Sequence, residues 1–239
     1  MGSFQELVAN AAAEYGLQLT NGQIAAMDTY YRLLLEWNEK MNLTAITEPH
    51  EVAVKHMIDS LSCYREEIFT AAARIVDVGT GAGFPGIPLK IFQPELELIL
   101  MDSLNKRLNF LREVAGNLGL QGVAFVHARA EEAGKNKQHR ESYDIAVSRA
   151  VARLNVLCEL CLPMVKVGGW FIALKGAQYE DEVHEAAKAL TILGGKVADI
   201  RPVSLPGLAD KRAVIYIKKV AATPLSYPRK AGTPEKKPL

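Results

Sequence analysis

The chemistry-bearing residues of this 239-residue sequence concentrate where an apolar run, Val76-Asp77-Val78, enters Gly79-Thr80-Gly81-Ala82-Gly83-Phe84-Pro85-Gly86. The run Ile87-Pro88-Leu89 follows with helical character. A strand feeding a glycine-rich turn and a helix cradles a nucleotide-like ligand, because glycine takes positive φ and presents no Cβ to an approaching group. Gly81-x-Gly83-x-x-Gly86 matches the dinucleotide fingerprint, but Pro85 removes one N–H donor that a pyrophosphate uses. Asp77 can accept hydrogen bonds from the loop or face a cationic group. The ammonium of a methionine moiety is such a group, so an acid here suits S-adenosylmethionine.

Asp102 closes the next strand-like run, about 20 residues past the glycines, where a carboxylate can take both hydroxyls of a ribose. It identifies a nucleoside without choosing between NAD and S-adenosylmethionine. Ala130-Glu131, after the third strand, suits either an adenine amino group or a plain helix start with favourable acids. Arg149 and Lys175 fall at the ends of the fourth and fifth strands, where ligands of open α/β sheets bind; either can be an ordinary surface charge, but two cations there suit base positioning or an anionic approach. Cys158-x-x-Cys161 lies in an apolar helical run, expected over Arg153–Lys166, and reads as packed core; no metal site is expected. The tip of the fourth strand, Ser148-Arg149-Ala150-Val151, lacks the Asn/Asp-Pro-Pro-aromatic motif of exocyclic-amine methylation, and no Pro-Cys pair supplies a thiolate for cytosine C5. None of the tyrosines begins the Tyr-x-x-x-Lys pair of short-chain reductases.

The elements that must hold these groups change character near residue 70. Upstream the apolar period is helical: Thr20 caps a helix through Ile24, Met27, Tyr31, Leu34 and Leu35 towards Asn42, and Glu48-Pro49 opens another on which Val52, His56 and Asp59 share a face. Downstream, strands are predicted at Arg74–Val78, Leu96–Met101, Val123–His127, Tyr143–Val147, Gly169–Lys175, Lys196–Val203 and Ala213–Lys219. The first five are spaced for crossover helices, whereas Ser204–Arg212 is short enough for an antiparallel hairpin. The expected organisation is a helical extension over 1–70, a cofactor domain over 71–222 and a tail over 223–239. The fold class is α/β, a Rossmann-like, seven-stranded, mainly parallel sheet of the class I S-adenosylmethionine-dependent methyltransferase kind.

Net charge is +1, so overall balance does not announce a nucleic-acid binder. From Lys218 onward, however, Lys218, Lys219, Arg229, Lys230, Lys236 and Lys237 face one acid, Glu235. A solvated Pro-rich tail and an electrostatic arm for phosphates are both open readings. Three cysteines make no disulfide framework, and no secretory leader or membrane-length apolar run is visible, so a cytoplasmic protein without membrane attachment is expected.

Taken together, Trp37-Asn38-Glu39-Lys40-Met41-Asn42-Leu43-Thr44, His56-Met57-Ile58-Asp59-Ser60-Leu61, Asp77 to Gly86, Asp102-Ser103-Leu104-Asn105-Lys106-Arg107, Ser148 to Ala152, Leu174-Lys175-Gly176 and Tyr227 to Pro234 resemble the bacterial 16S rRNA guanine-N7 methyltransferases, the glucose-inhibited division protein B family. The resemblance spans nearly the whole chain. It implies an S-adenosylmethionine site at Gly79, Phe84, Asp102, Ser103, Leu104, Ala130, Glu131 and Arg149, to which Asp77, Gly81 and Gly83 add the loop. It implies a partner in 16S rRNA, the small ribosomal subunit or an assembly intermediate, met on a face with His56, Asp59, Arg149, Lys175 and the tail; Lys106, Arg107, Arg229 and Lys230 are the candidate phosphate contacts. A monomer is expected. Guanine N7 carries a free lone pair at neutral pH, so a site without a dedicated base suits it. A methyltransferase for a small molecule or protein, an NAD-dependent reductase and a non-catalytic RNA-binding protein remain as rivals.

Overall fold

A computed structural model describes residues 2–239. Two capped helices begin the chain: α1 (Phe4–Tyr15), where Ser3 and Glu6 form a capping box, and α2 (Asn21–Asn38), where Thr20 and Gln23 do the same. α2 stops short of Asn42 because the Asn38 side chain accepts from the N–H groups of Leu43 (2.8 Å) and Thr44 (3.0 Å) and turns the chain. The helix opened by Pro49 is interrupted. α3 (Pro49–Val52) passes into a π-helical segment, Ala53–Ile58, and then α4 (Asp59–Leu61). A π segment widens the turn and leaves carbonyls free for other donors.

The sheet contains β1 (Arg74–Val78), β2 (Glu97–Asp102), β3 (Val123–His127), β4 (Tyr143–Arg149), β5 (Val165–Lys175), β6 (Gly195–Pro202) and β7 (Ala213–Lys219). Its order is β3-β2-β1-β4-β5-β7-β6, with β7 antiparallel to both neighbours and the other pairings parallel. The short β6–β7 connection forces that antiparallel edge, as its length predicts. Between the strands run α5 (Gly86–Phe92), α6 (Asn105–Asn117), α7 (Ala130–Ala133), α8 (Leu154–Cys161), α9 (Tyr179–Glu185) and α10 (Ala187–Leu193); α11 (Thr233–Lys236) ends the tail. α8 is shorter than its apolar run suggests. Pro163 cannot continue it, so a 3-10 turn at Leu162–Met164 leads straight into β5, which starts four residues earlier than expected.

Side chains alternate across the sheet. Ile75, Leu98, Leu100, Ile145 and Ile172 face one apolar cluster with α1, α2, the π segment, α5 and α6, so the N-terminal helices and the sheet share a core. Val76, Val78, Met101, Ala146 and Phe171 face the other, with α8 and α10. Cys158 and Cys161 belong to this second cluster, and burial pushes both thiols well above their ordinary range, as it does Cys63 in the first. No helix among the described residues is long and apolar enough to cross a membrane. Because β1 leads towards β2 on one side and β4 lies on the other, the strand order reverses between β1 and β4. Crevices for ligands open at such a reversal, beyond the carboxyl ends of the strands.

Candidate active site

The loop after β1 is fixed at several points. Gly79 and Thr80 donate their N–H groups to Met101 O at 2.9 and 3.0 Å, tying the turn to the end of β2. The Tyr30 hydroxyl of α2 donates to Ala82 O. Gly79 has φ +70°, and a Cβ there would lie 2.8 Å from Val151 Cγ2, so both its conformation and its neighbour require glycine. Gly83 serves packing: its missing Cβ leaves room for Leu111, Tyr30 and Ile87.

Asp77 is fully buried, on the α5 side of the sheet, and does not line the crevice. Its Oδ2 accepts from Thr80 Oγ1 (2.7 Å) and Gly86 N (3.0 Å), so it staples the two ends of the loop, while Oδ1 has no partner. Burial raises its carboxyl from 3.8 to about 6, against the lowering effect of those two hydrogen bonds. Of the two roles open to Asp77 in the sequence, the structure shows the loop contact.

A cavity of about 540 Å³ opens above this loop, within the range of small-molecule sites. Gly79, Gly81, Phe84, Asp102, Ser103, Ala130, Glu131 and Arg149 line it, together with Leu43, Thr44, His56, Arg107, Arg129, Val151 and Leu160. Leu104 is exposed and lies outside that lining. Asp102 is 3 % exposed; Oδ1 accepts from Leu104 N (2.8 Å), and Oδ2 from Gly81 N (3.0 Å) and Arg107 (3.3 Å). A carboxylate has about four lone-pair sites and three are filled, so Asp102 can accept from one ribose hydroxyl as it stands, and from a second in place of Arg107, the longest of the three bonds. Glu131 is buried at the far wall, and its Oε1 accepts from Gly232 N at 2.8 Å. Glycine backbone, a strand-end carboxylate and a second acid across the cavity fit an adenosine-bearing cofactor.

Arg149, at the tip of β4, organises the opposite wall. One guanidinium nitrogen donates to Lys55 O (2.8 Å), a carbonyl of the π segment, and to Asp59 Oδ2 (2.9 Å). The other lies 3.2 Å from His56 Nδ1, and the guanidinium sits 4.9 Å from the Phe84 ring centre. Nδ1 also lies 3.1 Å from Lys55 O, and Nε2 lies 2.9 Å from Thr44 Oγ1, so both ring nitrogens are engaged. Burial, then the Arg149 charge, pushes His56 from 6.5 down to about 3, and the ring stays neutral, stacked 4.4 Å from Phe84. Asp59 is shared with Arg212 at 3.3 Å.

A smaller cavity of about 310 Å³ adjoins the first, sharing His56, Arg149 and Ala150 and bounded by Lys55, Asp59, Lys175 and Arg212. The Lys175 ammonium is drawn to Glu182 (2.6 Å) and Ala152 O (2.8 Å), so it holds the loop after β4 rather than standing free. Lys106 is exposed and Arg107 reaches the cofactor cavity. Arg229 is turned inward onto Glu159, whereas Lys230 is exposed. Sequence reasoning passed over Leu43, Thr44, Arg129, Val151, Leu160 and Arg212. The first four stand inside or beside motifs it had already singled out; nothing local marks Leu160 or Arg212.

Residues 23–212 match the GidB family profile, described as rRNA small subunit methyltransferase G. A protein of Alkaliphilus metalliredigens named ribosomal RNA small subunit methyltransferase G is 53 % identical over 98 % of each chain. One of the same name from Desulforamulus reducens is 53 % identical over 96 % of this chain and 95 % of its own. Among solved structures, a point mutant of the 16S rRNA (adenine(1408)-N(1))-methyltransferase from Catenulisporales acidiphilia superposes with a TM-score of 0.53 at 16 % identity, covering 70 % of this chain and 91 % of that one, which is a likeness of fold.

Proposed function

Since the chain belongs to the rRNA small subunit methyltransferase G family, a family of S-adenosylmethionine-dependent enzymes acting on ribosomal RNA, we propose that it methylates N7 of a guanine in 16S rRNA. The observation that carries this reading is the pair of adjoining cavities that meet at Arg149, His56 and Ala150. The larger one suits the cofactor and the smaller one a base. When bound, S-adenosylmethionine supplies an electrophilic methyl group on a sulfonium centre.

Gly79 and Gly81 give the methionine end backbone without side chains, Asp102 accepts from the ribose hydroxyls beside Ser103 and Leu104, and Ala130 and Glu131 bound the adenine. Asp77 and Gly83 hold the loop without touching the ligand. Phe84 backs the His56 ring and, with Arg149, gives the boundary between the cavities a flat, rigid wall. The titratable groups there are already committed: Asp59 to two arginines, Lys175 to Glu182, and His56 to a neutral state with Nδ1 occupied. Such a wall positions a base and excludes water, but it is poorly placed to remove a proton. Guanine N7 requires no proton removal, because its lone pair attacks directly. The target base must leave its stack to reach the crevice, which favours a loop nucleotide of a structured RNA. Lys106, Arg129 and Lys230, which are exposed, are the candidate contacts for flanking phosphates, with Arg107 only if it leaves Asp102.

The test is transfer of labelled methyl to free 16S rRNA, small subunits and assembly intermediates from a strain lacking the modification, followed by nucleoside analysis. Label in N7-methylguanosine is expected. Label in another nucleoside would refute the N7 assignment while leaving the family intact.

A further inference from the structure

Residues 223–239 read in the sequence as a solvated Pro-rich tail or a basic arm, yet many of their polar contacts run inward. Arg140, in the turn after α7, donates from one nitrogen to Gly134 O (2.9 Å) and Tyr227 O (2.8 Å), and from the other to Thr223 O (2.6 Å) and Pro224 O (3.2 Å). The Arg229 backbone N–H donates to Glu159 Oε1 at 2.7 Å, and its guanidinium grips both carboxylate oxygens at 2.6 to 3.0 Å. Glu159, on α8, is 1 % exposed. Pro228 seats against Gly134, where a Cβ would fall 2.9 Å from the proline ring. The chain then turns at Gly232 and presents its N–H to Glu131 Oε1. These anchors lie on α7, on α8 and in the turn that follows α7. The same two helices supply Glu131 and Leu160 to the wall of the large cavity.

We propose that the C-terminal segment is a clasp that positions Glu131 for the adenosine end of the cofactor. The inference rests on the reading of Glu131 as an adenosine contact. The Gly232 N–H holds one carboxylate oxygen and leaves the other to accept from a ligand donor. Fixing that rotamer before the ligand arrives removes an ordering cost from binding. Arg229 and Glu159 act at one remove, because their buried charge-assisted pair holds the stretch that delivers Gly232.

The test uses the full chain with Glu159→Leu and Arg229→Met together, so that no buried charge is left unpaired. Calorimetry gives the Kd for S-adenosylmethionine, and small-subunit binding is measured at two salt concentrations. Glu131→Ala should raise the cofactor Kd about tenfold. The clasp variant should raise it about fivefold, and adding it to Glu131→Ala should change Kd by less than about twofold, since the two act through one contact. Small-subunit affinity should be unchanged. Glu159→Gln keeps the shape with a weaker bond, should give about a twofold rise, and serves if the paired replacement does not fold. Additive effects in the triple variant would overturn the clasp. So would an unchanged cofactor Kd with weaker, less salt-dependent small-subunit binding, which would make Arg229 a phosphate contact. Wild-type protein that binds no cofactor refutes the reading of the cavity; cofactor binding indifferent to Glu131→Ala refutes the reading of Glu131, and the clasp with it.

Discussion

Asp77 offers a quantitative test of how the glycine loop is held. Its carboxyl rises from 3.8 to about 6 because it is fully buried with one oxygen lacking a partner. At roughly 1.4 kcal/mol per pH unit, that rise places about 3 kcal/mol between the protonated and ionised forms in the fold. The sign follows from linkage. A raised folded-state pKa means that the folded protein binds the proton more tightly than the unfolded chain. The contribution is therefore fully present below 3.8 and is lost as pH climbs through 6. About 1.4 kcal/mol of this loss falls between pH 5 and pH 8, a range open to denaturant titration. His56 works in the opposite direction. Its pKa is lowered to about 3, so its contribution is present above 6.5 and falls as the solution is acidified, by about 2 kcal/mol between pH 7 and pH 5. The two oppose each other and leave a net rise of about 0.6 kcal/mol between pH 5 and pH 8, so the wild-type profile alone does not separate them.

The perturbation that separates them is Asp77→Asn, whose amide oxygen can still accept from Thr80 and Gly86 and which does not titrate. Urea unfolding of both proteins from pH 5 to pH 8 gives a difference curve from which His56 drops out. Relative to Asp77→Asn, the wild type should lose about 1.4 kcal/mol across that interval, with the steepest change at its acidic end. A difference curve that is level within about 0.4 kcal/mol, or that slopes the other way, would show that burial does not raise Asp77 to about 6. Cofactor affinity should change by less than about threefold in Asp77→Asn, as expected of a residue that shapes the loop from behind.

Three further outcomes are expected. Replacing His56 with Gln should flatten the acid limb, so that the difference from wild type grows by about 2 kcal/mol from pH 5 to pH 7; a pH-independent difference would contradict a neutral His56. Arg149→Met breaks a buried ion pair, but Arg212 still faces Asp59, so the cost should be about 2 to 3 kcal/mol, roughly 5–10 °C in Tm, with coupling above about 1 kcal/mol in a cycle with Asp59→Asn. Additivity in that cycle would mean that the pair is not what Arg149 contributes. Asp102→Ala removes the acceptor for a ribose diol and should weaken S-adenosylmethionine binding by about a hundredfold in calorimetry; a change under threefold would move the ribose elsewhere.

What was legible in the sequence follows from the range of each interaction. The glycine loop, Asp102 and the strand tips are local grammar: positive φ within a turn, a carboxylate at a strand end, and period-two burial, each readable within a few residues. The antiparallel β6–β7 edge was legible for the same reason, because nine residues between strands leave little room for a crossover. Asp77 was half legible. Its place before the turn was visible, but its direction depends on the alternation that sends it with Ile75 towards α5 and away from the crevice. The other wall could not be read this way. The Arg149–Lys55 and Arg149–Asp59 bonds join residues 94 and 90 positions apart, Arg212 reaches Asp59 across 153, and Gly232 reaches Glu131 across 101. Each of these cations sits in a stretch that, alone, reads as a solvated charge. The tail shows the consequence most plainly: its basic residues left a solvated tail and an arm for phosphate both open, yet Arg229, whose partner is a buried acid, turns inward, while Lys230 stays exposed. Arg229 turns inward because a buried Glu159 without it would cost more than an exposed phosphate contact returns.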